Sequence, residues 1–322
     1  MDPRISIVFT SFNHRGFLCQ ALDSLLNQTF TDFELIVIDD CSTDGSQEVL
    51  RQYEAKDQRI RLFLNDKNSG SYVHSTNLGA SKAVAQYIIF AQCDDYAEPS
   101  QLSKLYSALE SNPTAGVVYS ASTMVDQFGT PMGTDYDVRE SRFRQQCRHN
   151  TLINKEEMTQ YFLSSCVIPN LSAALIKRSL FEKQGGLSCN YFVLADWDFW
   201  LKTSLECDFY YISEPLNNFR QHNTTIRASI KIKRQVDEVF KMYYDFFSLA
   251  KFNFWRSLRW KYHIASVWMG YIGQGKSAWF KSLFPLLKAS MHYNFYFPFI
   301  AGINFICFPF RYILKCARLK NN

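Results

Sequence analysis

Four short apolar runs, separated by stretches of helical spacing, limit what this chain can fold into. They are Ile5-Ser6-Ile7-Val8-Phe9, Leu35-Ile36-Val37-Ile38, Ile60 to Leu64 and Tyr87-Ile88-Ile89-Phe90-Ala91. Each is brief and largely apolar, which predicts a strand; the first, β-branched and closed by polar residues, predicts a buried one. Between the first two, Leu18, Leu22, Leu25 and Leu26 recur at helical spacing, predicting a helix over residues 16–28. Ser42-Thr43-Asp44-Gly45 predicts the start of a second helix to about Lys56, with Val49, Leu50 and Tyr53 inward. A loop is expected from Asn68 to Asn77, then a helix to about Ala85. Apolar strands alternating with helices predict a mostly parallel sheet covered on both faces. Ligands of such sheets sit outside the carboxyl ends of the strands.

Beyond Pro99 the pattern predicts a helix over 100–111, a strand at Gly116 to Tyr119, and a polar, irregular excursion over 120–160. A pocket-lining strand is expected at Leu171 to Ile176, a helix from about Asp196 to Leu205, and a strand at Asp208 to Ile212. A hydrophobic content of 47% with 20% charged residues excludes a disordered chain. The nine cysteines are odd in number and scattered singly, without a Cys-x-x-Cys, which argues against a disulfide framework or a zinc cluster. Reduced thiols in a reducing compartment are expected. No basic-plus-apolar signal pattern precedes the strand at Ile5, so no export is expected.

Acidic residues cluster where strands end or helices begin. Asp39-Asp40 follows the second strand, Asp94-Asp95 the fourth, and Ala195-Asp196-Trp197-Asp198 opens a helix; Arg220-Gln221-His222 comes later. Carboxylates are costly to bury unless something neutralises them, and a divalent cation with a nucleotide diphosphate would do so. Asp39-Asp40 reads equally as a base and ribose acceptor or as a solvated turn. Asp94-Asp95 offers the oxygen ligands that Mg²⁺ or Mn²⁺ prefers, or is another turn. Asp196 is either a helix-terminal carboxylate favoured by the dipole or a general base. His222 is a candidate third metal ligand.

Taken together, these motifs resemble a known family. The run Ile5 to Asn13, the run Asn27-Gln28-Thr29-Phe30-Thr31-Asp32 through Asp44, Asn68-Ser69-Gly70, Asn77-Leu78-Gly79, Tyr87 to Pro99, Asp196-Trp197-Asp198 and Arg220-Gln221-His222 look like the family 2 inverting glycosyltransferases, over about residues 3–225. The resemblance implies a GT-A α/β fold with a Rossmann-like, mostly parallel sheet. It implies a nucleotide pocket lined by Thr10 and Phe12, with Asp40 reading the base, Asp39 beside it and Asp94 also at the nucleotide. Asp95 would be the direct ligand of Mn²⁺ or Mg²⁺, His222 a further metal contact and Asp196 the base that activates the acceptor. Gln92 stands where the family often has Asp, and Ala195 where many members have Glu. The implied activity moves a sugar from a nucleotide-diphosphate sugar, UDP by default, to a hydroxyl of a saccharide or lipid-linked acceptor in cell-surface polysaccharide biosynthesis. The alternative is a non-catalytic nucleotide-sugar-binding or scaffold protein of the same fold, which Gln92 and Ala195 would favour.

The C-terminal stretch reads differently. Residues 251–322 hold eleven of the 35 Lys and Arg and no Asp or Glu, so they carry +11 while the rest of the chain carries −6. Residues 246–322 also hold 21 of the 52 aromatic residues. A basic, aromatic-rich helical segment predicts an interfacial membrane contact, with a helical bundle or dimer partner as the alternative. The uncharged run Phe295 to Phe310 is short for a span and contains two prolines. It reads as interfacial or re-entrant, with Arg311, Lys315, Arg318 and Lys320 on lipid phosphates. The expected division is a catalytic domain over 1–240 and a membrane-associating segment over 241–322, placing the protein in the cytoplasm on the inner face of the cell membrane. A homo-oligomer is compatible with this reading. No Gly-x-Gly-x-x-Gly follows the first strand, which disfavours a dinucleotide oxidoreductase. The tail aromatics sit among aliphatic residues, which disfavours nucleic acid. A processive synthase is disfavoured too, because Arg256 stands where a Gln-x-x-Arg-Trp motif needs Gln and no clear spans occur.

Overall fold

The computed structural model describes residues 2–168, 170–222, 232–273, 288 and 292. The chain divides into two compact units, Met1–Ser229 and Ile230–Asn322.

The first unit opens with the expected alternation: β1 (Ile5–Ser11), α1 (Arg15–Leu26), β2 (Phe33–Asp39), α2 (Ser46–Lys56), β3 (Ile60–Leu64), α3 (Tyr72–Lys82) and β4 (Tyr87–Gln92). These strands lie in the order β3-β2-β1-β4, all parallel. Both faces are covered. Ile5, Ile7 and Phe9 belong to one cluster with Leu18, Leu22 and Leu25 of α1, each leucine contributing roughly 1.5–3 kcal/mol by leaving water. On the other face Val8 meets α3 at Gly79, where an added Cβ would lie 2.4 Å from Val8 Cγ1.

The second half is mixed. After β5 (Tyr96–Ala97) and α4 (Gln101–Ser111) come β6 (Ala115–Val125), β7 (Pro131–Thr134), α5 (Ser141–Gln146), β8 (Thr151–Ile153), α6 (Lys155–Ser164), β9 (Ala174–Lys177), α7 (Arg178–Lys183), α8 (Ala195–Thr203) and β10 (Asp208–Arg220). β9 runs antiparallel between β4 and β6, while β10 is parallel to β6.

Two segments differ from expectation. The loop expected over 68–77 is helix from Tyr72, with the Ser71 hydroxyl accepting the Val73 N–H at 3.3 Å. The face that α3 buries is Val73, Ser75, Thr76 and Gly79, too small and polar to display helical hydrophobicity. The excursion over 120–160 is ordered structure. β6 continues through buried Ser120, Ala121 and Ser122 to Val125, and a buried Asp135–Arg139 ion pair anchors the segment beyond β7. Asp135 Oδ1 also accepts the Ser122 N–H at 2.7 Å.

The second unit contains α9 (Ile232–Ala250) and α10 (Phe254–Gly273). The division expected at 240/241 falls inside α9. Among the described residues no helix is long and apolar enough to cross a membrane. The run Phe295 to Phe310 and the cations Arg311, Lys315, Arg318 and Lys320 lie outside the described residues.

Candidate active site

Parallel pairing brings the candidate residues to one edge of the sheet. Thr10 is in register with Ile38 on one side and with Gln92 on the other, so the ends of β1, β2 and β4 are level. The Thr10 hydroxyl donates to Gln92 Oε1 at 3.4 Å. The chain leaving β2 is tied back by the Asp40 N–H donating to the Ser11 carbonyl at 2.9 Å.

Asp39, the last residue of β2, and Asp40, the next, part company here, because successive side chains of an extended chain point to opposite sides. Asp40 lines a cavity of about 450 Å³. Its Oδ1 accepts from Asn65 Nδ2 at 2.7 Å and its Oδ2 from the Ser69 hydroxyl at 2.8 Å. Asp39, expected at the nucleotide, is off the cavity lining and fully buried. Its Oδ1 accepts the Ser42 N–H at 2.9 Å and Gln47 Nε2 at 3.0 Å, and its Oδ2 accepts the Ser42 hydroxyl at 2.6 Å. Asp39 therefore closes the turn that carries Cys41 at φ +64° and launches α2.

Asp94 and Asp95 also differ in surroundings. Asp95 is 5% exposed, with Oδ2 accepting the Ser172 hydroxyl at 2.5 Å and Oδ1 the Arg220 N–H at 3.0 Å. Burial, then the charge of Asp94, pushes its carboxyl up to about 8. Asp94 lines the cavity and lies 2.9 Å from His222 Nε2. His222 itself is off the lining, in edge-on contact with His14 at 5.3 Å between ring centroids. His222, expected as a further cation contact, is hydrogen-bonded to Asp94 in this structure.

Among the described residues no three His, Cys, Asp or Glu side chains are grouped to hold a metal. The two wall carboxylates, Asp94 and Asp95, still fit a hard cation of the Mg²⁺ or Mn²⁺ kind. Such ions are commonly held by one or two carboxylates, with substrate phosphates and water completing the shell.

Asp196 reaches the same cavity from α8. It lies in the first turn, where negative charge is favoured, and its Oδ1 accepts the Trp197 N–H at 2.7 Å. Thr10, Phe12, Asp40, Asp94, Asp95 and Asp196 therefore share one cavity, whose size suits a small-molecule ligand.

Sequence reasoning quoted Arg220 and Asn77 within motifs without giving them a role, and did not single out His14. Arg220 is 2% exposed and donates through Nε to the Asp94 carbonyl at 2.8 Å, through Nη1 to the Gln127 carbonyl at 3.1 Å and through Nη2 to Gln20 Oε1 at 2.6 Å. Its guanidinium also packs on the rings of Phe17 and Tyr96. It is a structural clamp on the Asp94 turn. His14 lines the cavity beside Cys93, and burial holds its imidazole below the ordinary value. Of the motif Asn77-Leu78-Gly79, Asn77 exchanges two hydrogen bonds with the Leu187 backbone, at 2.8 and 2.9 Å. That role is architectural.

Known proteins share both sequence and fold with this chain. A putative teichuronic acid biosynthesis glycosyltransferase, TuaG of Bacillus subtilis, is 30% identical over 151 residues, covering 47% of this chain and 59% of the relative. An uncharacterised glycosyltransferase of Haemophilus influenzae is 29% identical over 230 residues, 70% of each chain. The S. aureus TarS 1–349 structure in complex with UDP-GlcNAc superposes with a TM-score of 0.69 at 17% identity, covering 90% of this chain and 80% of that one. The mannosyltransferase PcManGT from Pyrobaculum calidifontis, in complex with GDP-Man and Mn²⁺, gives a TM-score of 0.56 at 14% identity, covering 94% and 85%. The fold is thus the GT-A fold of these transferases. The model of glycosyl transferase family 2 matches residues 6–185, more than half of the chain, including the ends of β1, β2 and β4, and the chain belongs to that family.

Proposed function

We propose that this chain is an inverting glycosyltransferase. It takes a sugar from a nucleotide-diphosphate donor, UDP by default, and adds it to a hydroxyl of a saccharide or lipid-linked acceptor in cell-surface polysaccharide synthesis. The observation that carries this reading is the one cavity in which carboxylates from just beyond β2 and β4 and from α8 meet. The UDP-GlcNAc bound by TarS and the teichuronic acid role named for TuaG support the donor class and the pathway.

Thr10, Phe12 and Asp40 hold the nucleotide, and Asp39 shapes the turn beneath it. Asp94 and Asp95 form the Mn²⁺ or Mg²⁺ site, with Asp95 the direct ligand and His222 a further contact. When bound, the cation supplies positive charge that stabilises the departing diphosphate. Asp196 takes the proton from the acceptor hydroxyl, and the oxygen attacks the anomeric carbon opposite the leaving diphosphate, inverting it. The rival scaffold reading rests on Gln92 and Ala195. Ala195 is fully buried in the first turn of α8, so a larger side chain there would have to displace its packing. The catalytic unit extends over about residues 1–240, and the basic tail brings it to the inner surface of the cell membrane.

Asp196→Asn tests the mechanism. Removing a general base lowers turnover by roughly 10²–10⁴-fold, while nucleotide affinity should stay near wild type. Donor-dependent release of nucleoside diphosphate with a hydroxyl acceptor measures the first, and equilibrium binding the second. Near-wild-type transfer by Asp196→Asn would remove Asp196 from the role of base. Nucleotide binding without transfer by the wild-type chain, across sugars and acceptors, would favour the scaffold.

A further inference from the structure

Within the second unit, exposed apolar side chains gather in a short stretch. Tyr244 and Leu249 of α9 and Phe254, Trp255 and Leu258 of α10 are all exposed, Trp255 at 75% and Phe254 at 69%. The first turn of α10 is built firmly. Asn253 Oδ1 accepts the Arg256 N–H at 2.8 Å and its carbonyl accepts the Ser257 N–H at 2.9 Å. Phe254 and Trp255 meet edge to face at 5.3 Å, and the Arg256 guanidinium lies over Phe252 at 4.6 Å. At 3.6 residues per turn, Phe254, Leu258 and Trp255 share an arc of roughly 100°. Arg259 and Arg256 follow on one flank of that arc, and both are exposed.

We propose that the face of α10 formed by Phe254, Trp255 and Leu258, flanked by Arg256 and Arg259, inserts into the interfacial layer of an anionic phospholipid bilayer. This deepens the membrane reading given above and rests on it. Charge identifies the occupant. From residue 251 onward the chain carries eleven cations and no Asp or Glu, which matches a surface of phosphate headgroups. Apolar rings beside cationic side chains suit the boundary between headgroup and acyl chain, where the rings leave water and the guanidinium groups stay at the phosphates.

The experiment is co-sedimentation of the full chain with vesicles of phosphatidylcholine alone and of phosphatidylcholine with phosphatidylglycerol. The second population should bind the protein, and binding should weaken as salt rises. The Phe254→Ser, Trp255→Ser, Leu258→Ser triple variant should lose most binding at all salt concentrations. Arg256→Ser and Arg259→Ser should each weaken it roughly fivefold, with nucleotide binding unchanged in every variant as the check on folding. Anionic-vesicle binding by wild type and triple variant alike would overturn this face while leaving a membrane-bound tail. No vesicle binding by the wild type would overturn both, and loss of self-association in the triple variant would then make the face a contact between copies of this chain.

Discussion

At the scale of single residues, two adjacent carboxylates with the same chemistry have opposite fates. Asp39 accepts three hydrogen bonds inside a turn, while Asp40 stands on the cavity wall. The residue types were legible in the sequence, but which side chain faces the cavity depends on where Asn65 and Ser69 arrive. Asp95 shows the same dependence. Its neighbours Ser172 and Arg220 are 77 and 125 residues away along the chain, and its carboxyl is pushed up to about 8. An unperturbed aspartate titrates near 4, so the folded protein holds a proton that the unfolded chain has released. The stability this confers is complete below about pH 4 and is lost as pH rises through about 8. Melting of the wild type in chelator should therefore show stability falling over that window, and Asp95→Asn should flatten that component. Parallel pH profiles for the two proteins would refute the assignment.

At the scale of elements, strands were easier to read than the helix that carries family residues. β3 has the expected bounds, because a short stretch dominated by large apolar residues is a local property. α3 was obscured because close approach to the sheet demands small side chains, and Gly79 is the point of closest approach. A Cβ there would sit 2.4 Å from Val8 Cγ1 and 3.2 Å from Ile38 Cγ1. Gly79→Ala should thus destabilise the protein by about 1–3 kcal/mol through overpacking, although alanine favours helix over glycine. Denaturant titration checks this; an unchanged or raised midpoint would mean α3 can move off β1 without cost. β6 and β10 were likewise read too short, since buried Ser120, Ser122, Asn217 and Asn218 look like loop residues until their partners are known.

At the scale of the whole molecule, a ligand that joins β1, β2, β4 and α8 should stabilise the fold they share. Binding only to the folded form adds about 2.7 kcal/mol at a free concentration 100 times Kd. Thermal melting with UDP, GDP, dTDP and CDP should show one preferred nucleotide, UDP, whose effect requires Mn²⁺ or Mg²⁺. A shift that is the same in chelator would dissociate Asp94 and Asp95 from the cation, and the absence of a shift with every nucleotide would dissociate the cavity from the donor.

The sequence by itself determined the alternation of strands and helices, the placement of acidic residues at their ends and the charge division between body and tail. All three depend on residue type and short-range spacing, which a linear chain displays directly. Only the tertiary structure decided that Asp40 faces the cavity while Asp39 closes a turn, and that His222 meets Asp94. It also decided that Arg220 clamps the 94–95 turn, with its guanidinium bonded to the Asp94 and Gln127 carbonyls and to Gln20 of α1. Those assignments rest on contacts between residues far apart in the chain, and a polar side chain's role is set by which partners the folded backbone brings within hydrogen-bonding distance.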